Sequence, residues 1–396
     1  MISVMQTRNA IIASITKGRE VSLSLSESLG CVVAEKILCP LDLPPFRQSG
    51  VDGYAFRYED FKEDEQINII GESSAGKSYQ GEIGLRQAVR IFTGAEVPDG
   101  ADTVVMQEKV NVGGNILEIR DEQITCGANI RLIGSHIKKN DSALARGKVI
   151  IAGTIGFLAS MGFTHVKVCA KPRVVIIITG NELQKPGESL GSGQVYESNS
   201  VCLSAALRSM GITDVNIVYA ADEESATRSA FQQAITSADF ILFSGGISVG
   251  DYDFVGKVLE EEKVKKIFYK VKQRPGKPLF FGERDGIYIF GLPGNPASVL
   301  TCFYEYVYPA LRMNMGYIAP FLQSISLPLA EQINTVKGLT YFLKAYTDYR
   351  TAFPLDGQPS YIMRSFAHAN CLIVVPEDVE KLDEGELVEV HLLPYI

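Results

Sequence analysis

Four histidines in 396 residues, with no H-E-x-x-H pair, leave little material for a histidine-built metal centre. The seven cysteines (Cys31, Cys39, Cys126, Cys169, Cys202, Cys302, Cys371) are odd in number, scattered, and contain no C-x-x-C pair. That pattern gives neither a zinc site nor a disulfide framework and fits a reducing cytoplasm. Long apolar runs are missing too: 174–178 is among the longest, far too short to span a bilayer, so no membrane partner is expected. Met1-Ile2-Ser3-Val4 lacks a basic region followed by an apolar core, so no secretion signal is expected. An excess of basic residues is also absent. The net charge of −8 argues against a generic nucleic-acid binder but leaves room for a local basic pocket holding an anion.

The length predicts two or more domains, and 46% hydrophobic with 21% charged residues is ordinary for a soluble globular chain. The chain is organised around 238–253. An apolar run, 240–243, has the length and type of a buried parallel strand. It stops at Ser244-Gly245-Gly246, where two glycines let the backbone turn sharply and approach a ligand. Gly250 follows, then Asp251 and Asp253, and 252–262 reads as a helix. Backbone N–H groups at such a junction suit a phosphate, and a carboxylate beside a phosphate suits Mg²⁺. An ordinary βα turn with solvated aspartates remains the alternative reading of this stretch alone.

From the N-terminus, Val4, Ile11, Ile12 and Ile15 fall at helical spacing, and 24–30 reads as a short capped helix ended by Gly30. Three prolines within 40–45 mark a domain boundary. The short alternating segments beyond it read as a compact β domain, 41–140. Within it, Gly71-Glu72-Ser73-Ser74-Ala75-Gly76-Lys77-Ser78 matches the P-loop pattern, but two glycines and no helical period follow, so a β-turn loop is expected. The helical pattern returns at 141–170, with Ile155, Leu158, Ala159 and Phe163 on one face. The β domain is therefore read as an insertion into a helical linker domain, 1–40 plus 141–170.

Residues 171–315 alternate strands and helices, which predicts a mostly parallel sheet. Residues 316–396 revert to short strands, including 361–366, and read as a small barrel-like β domain. The fold class is thus multidomain α/β plus β. Ligands of parallel sheets sit outside the carboxyl ends of the strands. That rule brings together Thr179-Gly180-Asn181-Glu182, Asp222, Ser244-Gly245-Gly246 with Asp253, and Gly291-Leu292-Pro293-Gly294-Asn295. Glu182, Asp222 and Asp253 would share one rim, where like charges repel unless a cation compensates. Mg²⁺ is the simplest compensation, and Lys270, Arg274 and Lys277 supply positive charge nearby. Prolines 275 and 278 stiffen the backbone around Lys277. In the last domain the polar candidates are Lys344, Ser360, Arg364, Ser365, His368 and Asn370.

These loops, in order and over almost the whole chain, resemble the molybdopterin molybdenumtransferase family (MoeA, and the E domain of gephyrin). Also carrying the resemblance are Pro44-Pro45-Phe46, Ser49-Gly50-Val51-Asp52-Gly53-Tyr54-Ala55, Ile91-Phe92-Thr93-Gly94-Ala95, Pro275-Gly276-Lys277-Pro278 and Gly291-Leu292-Pro293-Gly294-Asn295-Pro296. The resemblance implies a Mg²⁺-dependent transferase that takes adenylylated molybdopterin and molybdate, forms molybdenum cofactor and releases AMP. It implies a cytoplasmic homodimer of four-domain chains, with an adenylyltransferase and cofactor-accepting enzymes as further partners. Asp52 and Thr93 then look like residues supplied by the other subunit. Glu182, Asp222 and Asp253 look like the carboxylates that hold Mg²⁺ or organise the nucleotide. Lys270, Arg274 and Lys277 resemble the family's cations. Gly245, Gly246, Ser248, Gly250, Pro293, Gly294 and Asn295 belong to the cofactor-binding loops. Lys277, Ser298, Lys344 and Ser360 resemble an oxyanion pocket.

Three positions depart from the family pattern. His136, in Gly134-Ser135-His136-Ile137, stands where the family commonly has a functional aspartate, with Asp141 nearby. Arg274 replaces a lysine and Lys344 an arginine, and the two cations are not equivalent in anion geometry. Two alternatives are a molybdopterin adenylyltransferase, which would resemble 171–315 alone, and a non-enzymatic scaffold like the gephyrin E domain.

Overall fold

The structure is a computed structural model, and it describes residues 1–62, 66–247 and 254–394. The chain divides into two compact units. The first comprises Met1–Ala34, Gly147–Ile151 and His165–Ile396; the second comprises Glu35–Arg146 and Ala152–Thr164.

The first unit is built on an α/β layer. Its elements are β1 (Val174–Thr179), α1 (Asn199–Ser209), β2 (Val215–Ala220), α2 (Glu224–Ala234), β3 (Phe240–Ser244), α3 (Phe254–Glu261), β4 (Lys265–Tyr269), β5 (Phe280–Arg284), β6 (Ile287–Leu292) and α4 (Pro296–Cys302). The strands lie in the order β2-β1-β3-β6-β5-β4. The first four are parallel, and β5 runs antiparallel to both of its neighbours, β6 and β4. Both β1 and β3 are buried along their whole length, which is why they read as continuous apolar runs rather than alternating ones. Successive side chains still point to opposite faces. Ile176, Ile178, Leu242 and Phe290 pack with Leu203 and Leu207 of α1 and Val299 of α4. Ile177, Ile241, Phe243 and Ile289 pack with Phe231 of α2 and Val255 and Leu259 of α3. Helices thus cover both faces. The strand order reverses between β1 and β3, which opens a crevice at their carboxyl ends.

The same unit carries a C-terminal β layer. Thr340–Thr347, Cys371–Val375 and Leu387–Leu392 form its centre, with Ser324–Pro328 at one edge and Ala352–Pro354 paired to Thr340–Thr347. Its other edge is Gln273–Arg274, a short strand lent by the α/β layer and running parallel to Thr340 and Tyr341. One face of this sheet packs Phe342, Leu372 and Val374 against Ala297 and Leu300 of α4.

The second unit holds a six-stranded sheet in the order Thr103–Met106, Gly53–Phe56, Gln87–Ile91, Ile67–Ser73, Ile116–Ile119, Val110–Gly113. Val89, Ile91 and Val104 fill one cluster, and Phe56, Ile67 and Leu117 another. The P-loop-like stretch is a tight turn: Ser74 and Lys77 exchange backbone hydrogen bonds of 3.0 and 2.9 Å, and no helix follows.

Several elements differ from the sequence reading. Within 141–170 only Ala152–Ser160 is helical, while Ser142–Leu144 and His165–Cys169 are strands whose backbones pair with Ile37–Leu38 and Glu20–Ser24. Glu20–Ser24 is a strand paired with His165–Cys169, not part of a helical run. Residues 25–30 are turns. Residues 361–366 are turns instead of a strand, for a reason that lies in Lys344 and is given below.

Candidate functional site

A cleft of about 1650 Å³ opens between the carboxyl ends of the parallel strands and the C-terminal β layer. Of the residues singled out by sequence, Glu182, Arg274, Lys277, Pro293, Gly294, Asn295, Ser298 and Ser360 line it. Its size is ample for a nucleotide-sized ligand.

The glycine loop after β3 packs tightly on the end of β1. A Cβ on Gly245 would lie 2.5 Å from the Thr179 carbonyl, and one on Gly246 would lie 2.7 Å from Val255 Cγ2 and 2.8 Å from Thr179 Oγ1. Both have positive φ, +92° and +64°, so side chains are excluded by space and by backbone alike. Gly294 packs beside Gly245, where its Cβ would sit 3.8 Å from the Gly245 Cα. Asn199, at the start of α1, joins the two loops: its Nδ2 donates to Ser244 Oγ at 2.9 Å and to the Gly294 carbonyl at 2.8 Å. Glu197, itself buried, accepts from the Ser200 N–H at 2.8 Å and from the Ser200 hydroxyl, and so fixes that helix end. Thr179 Oγ1 and Asn199 Oδ1 are buried with no partner among the described residues. Polar atoms without partners at a loop junction are the exception in folded proteins, and here they collect where a polar ligand would sit.

Glu182 and Asp222 flank the crevice beside β1. The Asp222 N–H donates to Asn181 Oδ1 at 3.1 Å, while its Oδ1 is buried with no partner among the described residues. Burial, and then the negative charge of Glu182, hold the Asp222 pKa above the ordinary aspartate value. A carboxylate whose ionisation is made costlier by burial and by a neighbouring carboxylate, with an unfilled oxygen, is a donor suited to a hard divalent cation. No group of three metal-ligating side chains occurs among the described residues. The third expected carboxylate, Asp253, lies outside the described residues, as do Ser248 and Gly250.

Positive charge comes from the loop that enters the C-terminal sheet. Arg274 and Lys277 are exposed on the cleft, and Arg274 lies over the Tyr341 ring at 5.9 Å. Their loop is held from behind by Gln273, which the sequence reading missed. Gln273 is buried; its Nε2 donates to the carbonyls of Pro275 and Gly276, both at 3.1 Å, and its Oε1 accepts from the Tyr306 hydroxyl. Gly276, at φ +85°, has Cys302 Sγ 2.4 Å from where its Cβ would be. Lys270 does not line the cleft; its ammonium lies 5.0 Å from the Tyr269 ring centroid.

Lys344 is placed differently from the sequence expectation of a direct oxyanion donor. It is 1% exposed, and its Nζ donates to the carbonyls of Gly357 (2.6 Å), Ile362 (2.9 Å) and Pro359 (3.3 Å). An ammonium with three N–H groups has no donor left for a ligand. Because 357–362 wraps around this ammonium, its carbonyls turn inward and it cannot run on as a strand. Ser360 is on that segment: Asn295 Nδ2 donates to its Oγ at 2.9 Å, and its carbonyl accepts from the Ala297 N–H at 3.0 Å.

In the second unit, Asp52 and Thr93 form one element. Asp52 Oδ1 accepts from the Thr93 N–H at 2.7 Å and from the Thr93 hydroxyl at 2.8 Å. The Thr93 backbone and hydroxyl bonds hold the Asp52 carboxylate below its ordinary pKa. His136 is exposed, and its ring lies 5.5 Å from Phe157.

Three family models match the chain: MoeA N-terminal region (domain I and II) over residues 2–162, probable molybdopterin binding domain over 175–313, and MoeA C-terminal region (domain IV) over 326–393. A molybdopterin molybdenumtransferase of Staphylococcus epidermidis is 33% identical over 99% of this chain and 95% of its own length. One of Haemophilus influenzae is 31% identical over 99% of this chain and 100% of its own. Two crystal structures of a molybdopterin biosynthesis MoeA protein from Pyrococcus horikoshii superpose with TM-scores of 0.85 and 0.84, at 30% and 28% identity. Each alignment covers 99% of this chain, and 99% and 100% of the respective structures. By sequence along its whole length and by fold, the chain belongs to the molybdopterin molybdenumtransferase (MoeA) family.

Proposed function

We propose that this protein inserts molybdenum from molybdate into adenylylated molybdopterin, forming molybdenum cofactor and releasing AMP. The observation that carries the reading is the cleft itself. A side-chain-free glycine loop, a carboxylate pair with an unfilled oxygen, and two exposed cations line or adjoin one cavity at the switch point of a parallel sheet. The family membership gives that cavity its substrates.

The residues divide the work by chemistry. The loop of Gly245 and Gly246 lets a phosphate approach the backbone. Glu182 and Asp222 fit Mg²⁺, which usually takes one or two carboxylates with the remaining ligands from substrate phosphate and water. The ion, when bound, would stabilise charge on the departing phosphate. Arg274 and Lys277 face anionic oxygens of nucleotide and molybdate. Neither side chain makes a hydrogen bond or ion pair among the described residues; the Arg274 guanidinium lies over the Tyr341 ring, which leaves the Lys277 ammonium as the freer donor for the oxyanion. Molybdenum is finally held by the two dithiolene sulfurs of the pterin, so no protein thiolate is required. The buried thiols fit that division: burial pushes the Cys371 thiol up to about 12. The same reading makes the protein a cytoplasmic homodimer, with Asp52 and Thr93 of a second copy completing each site.

Replacing Asp222 with Asn, or Glu182 with Gln, removes a charge without removing bulk. AMP release from adenylylated molybdopterin is expected to fall about 100-fold in either variant, with a raised Mg²⁺ requirement. Release at the wild-type rate from both variants would remove this pair from the site. Formation of adenylylated molybdopterin from ATP by the chain alone would favour the adenylyltransferase reading.

A further inference from the structure

Among the described residues Lys344 is the one lysine or arginine in the buried set. Buried lysines are rare unless paired with an opposite charge, and this one has no carboxylate partner among the described residues. Its compensation is made of backbone: three carbonyls of one short segment converge on one ammonium.

The segment is tied to Lys344 at every level. The Lys344 N–H donates to Gln358 Oε1 at 3.0 Å, and Gln358 Nε2 donates back to the Lys344 carbonyl at 2.9 Å. The Leu355 N–H also donates to the Lys344 carbonyl, at 3.0 Å. Ser365 Oγ donates to the Gly357 carbonyl at 2.8 Å, closing the loop on itself. The outer side of this segment, Leu355 to Tyr361, forms one wall of the cleft. Through Ser360 it is bonded to Asn295 and Ala297, so it also fixes the far end of the Pro293–Gly294 loop.

We propose that Lys344 is a positioning residue: its buried ammonium shapes 355–362 and so sets the wall that presents Ser360 to the substrate, without touching substrate itself. The proposal rests on the reading of the cleft as the site of molybdenum transfer. It also gives the lysine a reason. A guanidinium is planar and larger and could not aim three donors at carbonyls spread around a point, whereas an ammonium can. Burial lowers the Lys344 pKa to about 8, and the three carbonyl dipoles work against that by favouring the charged form.

The test uses the full chain with two readouts, hydrogen–deuterium exchange of amides 355–362 and steady-state AMP release with adenylylated molybdopterin and molybdate. In Lys344→Met, exchange in 355–362 is expected to speed up about tenfold while β1 and β3 keep wild-type protection. KM for the substrates should rise about tenfold with kcat changed less than about threefold. Gln358→Ala, which keeps the ammonium, should show the same pattern at smaller amplitude. Lys344→Arg should fail to restore wild-type exchange. Wild-type exchange in Lys344→Met with kcat lost would overturn the proposal and make Lys344 a direct contact. Faster exchange spread through β1 and β3 would overturn it in favour of a general role in stability. Absence of AMP release in the wild type would sink the transferase reading, while the exchange data would still decide whether Lys344 shapes the loop.

Discussion

His391 sits on the Leu387–Leu392 strand of the C-terminal sheet, 3% exposed, with Nδ1 2.7 Å from Glu305 and Nε2 3.1 Å from Glu389. Arg8, from the N-terminal helix Val4–Ser14, reaches the other oxygen of Glu305 at 2.6 Å. Ser324 donates to Glu389 at 2.9 Å, and the Phe342 ring covers the imidazole. Burial disfavours the imidazolium, yet Glu305 and Glu389 outweigh it and raise the pKa from 6.5 to about 9. The bond from His391 holds Glu389 down to about 2. A folded pKa above the unfolded one means that protonation favours folding. The His391 contribution is therefore whole below about pH 6.5 and is lost as pH rises through about 9. Removing one member of a buried charged pair costs about 3 kcal/mol. His391→Asn should be destabilised by about that much near neutrality, and the gap to wild type should close as pH passes 9. Denaturant unfolding of both proteins across that range checks it; a gap that stays constant would contradict the assignment. A second prediction at this scale concerns the glycine loop. Gly246→Ala places a methyl 2.7 Å from Val255 Cγ2 at a φ of +64°, and should weaken binding of adenylylated molybdopterin at least tenfold by isothermal titration.

At the scale of elements, what the sequence disclosed depended on how each segment is buried. The strands β1 and β3 were legible because both faces are covered and their apolar runs are unbroken. The strand Glu20–Ser24 was not, because Val21 and Leu23 alternate over only five residues, too short a run to stand out inside a segment read as helical. The stretch 361–366 reads as a strand because Tyr361, Ile362 and Met363 favour one, but the inward-turned carbonyls around Lys344 override that propensity. Gln273 could not be recognised from its neighbours either: its role exists only once Tyr306 and the Pro275–Gly276 turn converge on it. Gln273→Ala removes two donors from the loop that carries Arg274 and Lys277 and leaves the Tyr306 hydroxyl unpaired. KM for molybdate should rise about tenfold, with a smaller change in kcat; unchanged KM would mean that the loop is rigid without it.

Across the whole molecule, the rule that ligands gather at the carboxyl ends of parallel strands is enough to bring Glu182, Gly245, Gly246 and the Pro293–Gly294–Asn295 loop together from sequence alone. What the rule could not supply were the groups behind the cleft wall. Asn199, half-buried, bridges two loops, while the buried Gln273 supports a third and the buried Lys344 a fourth, each through hydrogen bonds that no local sequence pattern marks. The local reading of Lys344 as an anion donor followed from its charge; its environment gives the charge a different task. The cleft therefore has an outer layer of groups available to ligands and an inner layer of hydrogen-bonded supports.

The central claim is that this cavity transfers molybdenum. The most direct measurement is AMP release from adenylylated molybdopterin by the purified protein in Mg²⁺ buffer, with and without molybdate. Molybdenum transfer at this cavity should give AMP release that depends on molybdate and accompanies loss of the adenylylated substrate. Tight binding of that substrate with no release, or release unaffected by molybdate, would contradict it.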